Sequence, residues 1–320
     1  MSKSTKIWLI IATTLILIGC IIFGGVMSKL NWDFSKLSTN KFETNTHKIA
    51  DDFNNISINT STADIVFELS DDNTCSIVCY EKAKQKHSIY VQNDTLLLEL
   101  SQNKNWHDHI EINFSTPKIT VFLPEMQYES LNINEYTGDV KIPKNFNFES
   151  IDIVASTGDV DISATTLGNT NIKVTTGDVR VENSSAKSLN ISVSTGKVEV
   201  SNTNVEDDFY VRVSTGKSYL ASVNCKNFVS IGDTGDISLE NVIATEKFSI
   251  ERTTGDIEFK SCDAGKIVVK TDTGDVKGNL LTNKIFFTQT DTGKINVTKS
   301  TSGGKCEITT DTGDIKITVN

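Results

Sequence analysis

Aspartate side chains recur beside a repeated Thr-Gly pair through residues 131–320 of the chain. The residue after the glycine is aspartate in seven of ten copies and lysine in the other three, and four later copies carry a second aspartate two residues before the glycine. Carboxylate oxygens are the ligands that Ca²⁺ prefers in proteins. The sequence predicts no cofactor, and calcium is the one candidate that its residue types allow. The candidate ligands are Asp233, Asp236, Asp272, Asp275, Asp311 and Asp314.

A structural role for these aspartates is the alternative, because Asp suits exposed turns and bonds to nearby backbone groups. The Gly-Gly-x-Gly-x-Asp calcium motif of other β-solenoids is absent from the sequence. The threonine before the glycine is present in every copy, and stacked threonines would form a ladder of hydroxyls that satisfies backbone groups at a corner. The alternative for the threonines is a regular binding array. It would use the pairs Thr271/Thr273, Thr290/Thr292 and Thr310/Thr312.

Histidine and cysteine give two further groups of candidates. The run Trp106-His107-Asp108-His109 concentrates metal-ligand types, but zinc needs another ligand at a known position, so an exposed loop is the alternative. Cys75 and Cys79 lie on one face of a predicted strand, roughly 13 Å apart, which is too far for a disulfide. We predict buried thiols for these two, for Cys225 and Cys306, and a turn position for Cys262.

Catalytic motifs are absent from the sequence. It contains no nucleophile–base pattern, phosphate-binding loop or dinucleotide fingerprint. We therefore predict no catalytic and no cofactor-binding residues, and we interpret the protein as a non-enzyme.

The Thr-Gly pairs must be positioned by a regular architecture. Their glycines are separated by 19 or 20 residues, and a short fixed period over ten copies is typical of a solenoid. The glycines are Gly138, Gly158, Gly177, Gly196, Gly216, Gly235, Gly255, Gly274, Gly293 and Gly313. We predict an all-β fold, a right-handed parallel β-solenoid of about ten 19–20-residue coils.

Apolar residues alternate within each copy, as in Leu189, Ile191 and Val193 before one glycine and Val198 after it. A period of two predicts strands with one buried face. Apolar residues stand at odd offsets before the glycine and at even offsets directly after it. This change predicts a corner at the Thr-Gly pair, which glycine turns at the least steric cost. A second break follows about six residues later, where Asn or Ser stands. At roughly 4.8 Å per coil, ten coils would make a rod about 50 Å long.

The N-terminal segment is apolar. Residues 7–27 are 21 residues without a charge, long enough to cross a bilayer core of about 30 Å. We predict a cytoplasmic N-terminus at 1–6, a transmembrane helix at 7–27 and an extracytoplasmic solenoid, since Lys3 and Lys6 favour an internal N-terminus. The alternative is a lipobox at 17–20 with a lipidated Cys20, but apolar residues follow Cys20 where lipoproteins turn polar.

The remaining boundaries come from the repeat pattern. Residues 28–45 are a predicted tether, 46–130 an N-terminal β cap with degenerate coils, and 131–320 the regular β-solenoid. One degenerate copy carries Ala63 in place of glycine, as is typical of terminal repeats. The last strand, Ile315–Val319, is predicted to be an open edge for a partner or a second copy.

The charge distribution limits the classes of partner. The chain carries a net charge of −10, and its first 30 residues hold three lysines and no acids, which leaves −13 for the remainder. An acidic rod is a poor ligand for nucleic acid or anionic lipid, so cationic peptides or metal ions are the expected electrostatic partners.

Several features together resemble a known family. They are the apolar anchor, Ser-Thr-Ala-Asp-Ile at 61–65, Ile-Thr-Val-Phe-Leu-Pro at 119–124 and the Thr-Gly-Asp repeats. The chain resembles the putative-adhesin family of unknown function, membrane-anchored β-solenoid proteins of Gram-positive bacteria, over about residues 45–320. The resemblance implies an extracytoplasmic solenoid and no catalytic residues.

Three hypotheses of function follow. The first is an adhesin-like binding or scaffold module at the cell envelope. The second, implied by the resemblance, is an accessory regulator in cell-envelope stress signalling. The third is a calcium-dependent polysaccharide lyase, although the short period leaves no loop to build a lyase groove. The expected partner is a cell-envelope component or a membrane protein, with no nucleic acid.

Overall fold

The computed structural model describes residues 2–37, 41–101 and 115–319. The described residues are mostly β-structure and form a β-solenoid of about ten turns after one apolar helix, which confirms the predicted fold class. The run from Trp106 to His109 lies outside the described residues.

One helix, α1 (Lys3–Lys29), opens the chain. The Ser2 hydroxyl caps it by accepting the backbone N–H of Thr5 at 3.2 Å. The helix ends before Asn31 and Trp32, whose φ angles of 54° and 58° are left-handed and cannot continue it. A short 3₁₀ helix (Phe34–Leu37) follows, and the first strand begins within the predicted tether.

Twenty-six strands follow in one continuous hydrogen-bonded sheet among the described residues. The strands before the regular coils are β1 (Phe42–Ile49), β2 (Asn55–Thr60), β3 (Asp64–Leu69), β4 (Cys75–Lys82), β5 (His87–Gln92), β6 (Thr95–Leu100) and β7 (Lys118–Leu123). The next strands are β8 (Gln127–Thr137), β9 (Val140–Ile142), β10 (Asn147–Thr157), β11 (Val160–Ile162), β12 (Thr165–Thr166), β13 (Asn169–Thr176), β14 (Val179–Glu182), β15 (Ser185–Ala186), β16 (Ser188–Thr195) and β17 (Val198–Val205). The last strands are β18 (Asp208–Thr215), β19 (Ser218–Thr234), β20 (Ile237–Thr254), β21 (Ile257–Thr273), β22 (Val276–Leu280), β23 (Lys284–Thr292), β24 (Ile295–Val297), β25 (Gly304–Thr312) and β26 (Ile315–Val319).

The coils stack as parallel strands in register. Ile172 of β13 pairs with Ile153 of β10 on one side and with Ile191 of β16 on the other. Equivalent residues of successive coils therefore lie on top of one another, and their inward side chains form the core. Farther along the rod, Phe209 and Phe228 stack with ring centroids 5.2 Å apart. Each fully buried side chain of this size contributes about 1.5–3 kcal/mol to stability.

Two sharp corners shape each coil. At the Thr-Gly corner, Gly177 has φ of 147°, and a Cβ atom there would lie 1.9 Å from the carbonyl oxygen of Gly158 in the preceding coil. Only glycine therefore fits this position. In five of the coils the second corner carries a residue with φ between 47° and 56°, which short polar side chains tolerate. These residues are Asn183, Asn202, Ser222, Asn241 and Ser261.

The first coil lies between later segments of the chain. Strand β2 pairs in parallel with β6 and β8, and β3 pairs with β7 and β9. Antiparallel pairs β1–β4, β4–β7 and β5–β6 then cover this end of the stack. A Cβ atom at Gly138 would lie 2.3 Å from the carbonyl oxygen of Ala63, so the degenerate copy is the first rung of the glycine corner.

The last two coils stack in the reverse of their chain order. Strand β25 lies between β21 and β23, and β26 lies between β22 and β24. The prediction that Ile315–Val319 is an open edge is therefore wrong, because both of its edges are paired. The strands at this end of the rod are β23 and β24, where Ile295 is 45% exposed and Phe287 is 54% exposed. All copies share one register, so the repeat pattern defines the strands but not their stacking order.

Candidate functional site

The predicted aspartate column is a ladder of hydrogen bonds between coils. The Oδ1 atom of Asp139 accepts the backbone N–H of Asp159 at 2.8 Å, and Oδ1 of Asp159 accepts the N–H of Asp178 at the same distance. Each carboxylate thus satisfies a backbone donor that the corner would otherwise leave unpaired. The ladder begins at Asp64, which accepts the N–H of Asp139 at 3.1 Å.

Lysines mark the places where the ladder ends. Asp178 accepts the N–H of Lys197 at 2.8 Å, but an ammonium group cannot accept the next one. Near the end of the rod, Asp275 accepts from Asp314, and Asp314 accepts from Lys294, both at 2.8 Å. Lys294 therefore occupies the last rung in space although Asp314 follows it in sequence.

The six predicted calcium ligands divide between two positions. Asp236, Asp275 and Asp314 belong to the ladder, each with Oδ1 accepting a backbone N–H from the next coil. The nearby ammonium of Lys217, 2.9 Å away, lowers the pKa of Asp236. The other three lie outside the ladder on the solvent side of the corner, where Asp233 and Asp311 are exposed and Asp272 is half-buried. Calcium binding by these residues stays a prediction.

The threonine pairs do not form a flat binding array. Thr271 and Thr310 are buried in the interior, with exposed fractions of 0% and 1%, whereas the threonine two residues after each is exposed. The inward hydroxyl of Thr310 donates to the carbonyl oxygen of Gly274 at 3.2 Å. The exposed threonines thus form a single column along the Thr-Gly corner.

The N-terminal cap contains a buried polar cluster that the sequence analysis missed. Strand β4 presents Cys79 and Glu81 to the interior, and β5 begins with buried His87. Glu81 Oε2 accepts the His87 backbone N–H at 2.7 Å and lies 2.7 Å from His87 Nδ1. His87 Nε2 lies 2.9 Å from the hydroxyl of Thr60, and Asn45 Nδ2 donates to Glu81 Oε1 at 2.7 Å.

The ligand-type atoms of this cluster converge. In the part of the chain that the structure describes, the one such group of three or more His, Cys, Asp or Glu side chains is Cys79, Glu81 and His87, with ligand atoms within 4.8 Å of one another. The signal in the sequence was the Cys-x-Glu spacing, which places Cys79 and Glu81 on one face of a strand. The sequence did not show that the next strand would place His87 beside them.

The cysteines beyond helix α1 are buried thiols, as predicted for Cys75, Cys79, Cys225 and Cys306, whereas Cys20 is exposed on the helix. Burial raises the pKa of Cys75 to about 12, which keeps this thiol protonated and unreactive at neutral pH. Cys262 is likewise fully buried, but it lies in β21 directly after the Ser261 corner and not in the predicted turn.

Two buried ionisable residues interrupt the apolar core. Glu135 is 1% exposed; its Oε1 accepts the backbone N–H of Thr137 at 2.9 Å, while Oε2 has no partner among the described residues. Burial raises the pKa of Glu135 to about 7. Arg252 is 3% exposed, and its Nη2 donates to the hydroxyl of Ser230 at 2.9 Å. Burial lowers its pKa to about 10.

Helix α1 has the length and composition of a membrane span. It has 27 residues with a mean hydropathy of 2.6 in its most apolar window, and none of that window is buried against the rod. Its apolar side chains, such as Ile21 at 73% exposed, need another apolar environment.

Comparison with known families identifies this architecture. The model of the Toastrack DUF4097 family matches residues 53–208 and 206–320, and so covers the cap after β1 and the whole rod. The chain belongs to the Toastrack DUF4097 family. This finding confirms the resemblance to a putative-adhesin family of unknown function. No curated protein matches this Toastrack chain.

Solved structures of low sequence identity were also matched. A putative adhesin from Bacteroides fragilis is 17% identical over 88% of this chain and 97% of its own, with a TM-score of 0.44. A putative lipid binding protein from Parabacteroides distasonis is 20% identical over 77% and 98%, with a TM-score of 0.49. A putative adhesin from Parabacteroides merdae is 15% identical over 75% and 97%, with a TM-score of 0.41.

Proposed function

We propose that this protein is a membrane-anchored binding module whose rod projects from the outer face of the cell membrane into the cell envelope. One observation supports the proposal most directly: the same chain contains an exposed apolar helix and a regular β-solenoid rod. The helix would hold the cap end at the bilayer, and the rod would carry its distal coil roughly 50 Å away.

The regularity of the rod supports binding or scaffolding. Eleven rungs of the Thr-Gly corner, counting Ala63, stack on one another. From β8 to β22 the chain carries no insertion that could form a deep cleft. A surface of this kind presents the same groups at a fixed spacing, which suits a repetitive ligand such as a wall polymer.

The charge of the rod favours a second candidate function. Because the segment after residue 30 carries a net charge of −13, cationic peptides would be attracted to it and anionic lipid repelled. An accessory role in envelope-stress signalling, through a membrane protein partner, is therefore the alternative to wall binding.

Co-sedimentation with isolated cell walls tests the proposal. The full-length protein in detergent micelles is incubated with walls, with calcium or with a chelator, and the pellet is quantified. Saturable pelleting supports wall binding. Its absence under both conditions refutes wall binding and leaves the signalling alternative, which in-cell crosslinking to membrane proteins then tests.

The aspartate ladder allows a matched test of calcium. Asn retains the Oδ1 acceptor of the ladder but removes the ligand charge, so Asp275→Asn with Asp314→Asn should abolish any calcium-dependent part of the pelleting. The control pair, Asp139→Asn with Asp159→Asn, makes the same change in the ladder outside the predicted site. Equal effects of the two pairs would contradict a local calcium site.

Membrane topology has its own test. Single cysteines at Ser4 or Thr301 are introduced together with Cys20→Ser, and intact cells are labelled with a membrane-impermeant maleimide. We expect labelling at 301 and not at 4. Labelling only at 4, or release of the rod without the helix, would contradict the anchored arrangement.

A further inference from the structure

Three different metal-ligating side chains meet inside the N-terminal cap. Cys79 and Glu81 lie two residues apart on β4, and because side chains alternate along a strand, both point into the core. Strand β5 places His87 beside them, and their ligand atoms lie within 4.8 Å of one another. All three residues are buried, with exposed fractions of 0%, 1% and 6%.

The types of these ligands select a class of cation. A thiolate, an imidazole and a carboxylate are the ligands that Zn²⁺ takes in proteins, at about 2.0–2.3 Å each, which puts ligand atoms of a tetrahedral site roughly 3–4 Å apart. The 2.7 Å separation of Glu81 Oε2 and His87 Nδ1 would widen by less than about 1 Å. We propose that Cys79, Glu81 and His87 form a binding site for a divalent cation of the Zn²⁺ class.

The surrounding hydrogen bonds are those that a zinc site requires. The imidazole can bind the cation through Nδ1 while Nε2–H donates to the Thr60 hydroxyl, 2.9 Å away. Such a donation from the second ring nitrogen fixes the tautomer and orientation of a metal-bound histidine. Asn45 and the His87 backbone N–H hold the two oxygens of Glu81. On binding, the Cys79 thiol loses its proton to solvent, and the imidazole proton that joins Nδ1 to Glu81 Oε2 moves to Nε2, so that one proton is released for each cation bound.

A fourth ligand has room beside the cluster. A cavity of about 10 Å³ is lined by Glu81 and His87, together with Gln85 and Ser61. This volume is close to what one water molecule requires, and a three-ligand zinc site takes a water as its fourth ligand.

Binding at this position would fix the turn between β4 and β5 against the first coil. The three ligands come from β4 and β5, whereas the hydrogen-bonded partners Thr60 and Asn45 come from β2, in the first coil, and from β1. A cation would therefore hold β4 and β5 together, in the orientation that their hydrogen bonds to Thr60 and Asn45 already favour, and a ligand bound only by the folded state stabilises that state.

Cobalt is the probe for the test, because Co²⁺ bound by a thiolate gives a charge-transfer band in the near ultraviolet. Full-length protein in detergent micelles is used with Cys20→Ser, which removes the exposed thiol. We expect one equivalent of Co²⁺ to give the band and Zn²⁺ to displace it. Zinc should also raise the midpoint of thermal unfolding.

Matched variants locate the site. Cys79→Ser should abolish the band and the thermal shift, whereas Cys75→Ser, on the same face of the same strand, should keep both. If Cys79→Ser fails to fold, two other measurements test the same site. His87→Gln should also lose the thermal shift. The dialysed Cys20→Ser protein should contain one zinc ion per chain. Absence of the thiolate band from the folded Cys20→Ser protein, or its persistence in Cys79→Ser, would overturn the proposal. Wall binding is measured separately and does not depend on this result.

Discussion

The reversed order of the last two coils makes a quantitative prediction. Ile295 and Ile315 occupy the same position in their coils, two residues after the glycine, and pair with each other. Ile315 lies between Ile295 and Val276 and is 0% exposed. Ile295 lies on the terminal coil and is 45% exposed. Substitution of each by alanine should therefore have very different costs.

The magnitudes follow from the burial. Removing three carbon atoms from a fully buried isoleucine costs about 2.4 kcal/mol at about 0.8 kcal/mol each, and the cavity left behind raises the total to roughly 3–5 kcal/mol. Roughly half of the Ile295 side chain is already exposed and no enclosed cavity forms, so Ile295→Ala should cost about 1 kcal/mol.

Hydrogen exchange of the amides in 304–319 is the assay, because it measures opening of the last coils even when the rest of the rod stays folded. A 2 kcal/mol cost corresponds to about 30-fold faster exchange and 1 kcal/mol to about fivefold. We expect Ile315→Ala to exceed 30-fold and Ile295→Ala to stay below tenfold. The opposite ranking would refute the reversed order, because coils stacked in chain order would bury Ile295 and expose Ile315.

Disulfide formation gives a direct geometric check of the same order. Lys277 pairs with Lys316, which in turn pairs with Asn296. Lys277 is thus one rung, about 4.8 Å, from Lys316 and two rungs from Asn296, and a disulfide needs Cα atoms closer than about 7 Å. Lys277→Cys with Lys316→Cys should crosslink on oxidation, and Lys277→Cys with Asn296→Cys should not.

Three further predictions concern the corner and the core. The folded-state pKa of Glu135 is about 7, above its ordinary 4.5. The stability that the protonated carboxyl contributes is therefore fully present below about pH 4.5 and is lost as the pH rises through 7. Glu135→Gln should flatten this part of the plot of unfolding midpoint against pH. Asp178→Ala should cost about 0.5–1.5 kcal/mol in urea unfolding, since a backbone N–H loses its acceptor, whereas Asp311→Ala, outside the ladder, should be near neutral. Gly177→Ala should prevent normal stacking and abolish the cooperative unfolding transition, because its Cβ would overlap a carbonyl oxygen; a soluble, equally cooperative variant would contradict this account of the corner.

The repeated part of the fold could be predicted from local pattern. The alternation of apolar and polar residues in segments such as 189–193 identifies the inward face of a strand, and the Thr-Gly pair marks the corner. Both signals are visible in the sequence because they depend only on residues within one coil. The buried position of Ala63 at the first rung follows from the same pattern. The uncharged run at 7–27 likewise predicted the apolar helix, which extends a few residues beyond it on each side, over Lys3–Lys29.

The candidate site could be predicted only in part. The aspartate column was visible in the sequence, but its role as an acceptor ladder depends on which coil lies next to which. Cys79, Glu81 and His87 were visible only as separate residues, because the turn between β4 and β5 and the contact with Thr60 of the first coil bring them together.

The sequence by itself determined the strands, the corners, the register and the apolar helix, since these follow from side-chain alternation, glycine geometry and hydropathy within short segments. The tertiary structure decided the order of coils at both ends, the enclosure of the cap cluster and which residues are exposed at the distal end. The physical reason is that every copy offers the same parallel edge and the same core face. A coil can therefore pair equally well in register with several others, and only the packing of the complete chain selects its neighbours.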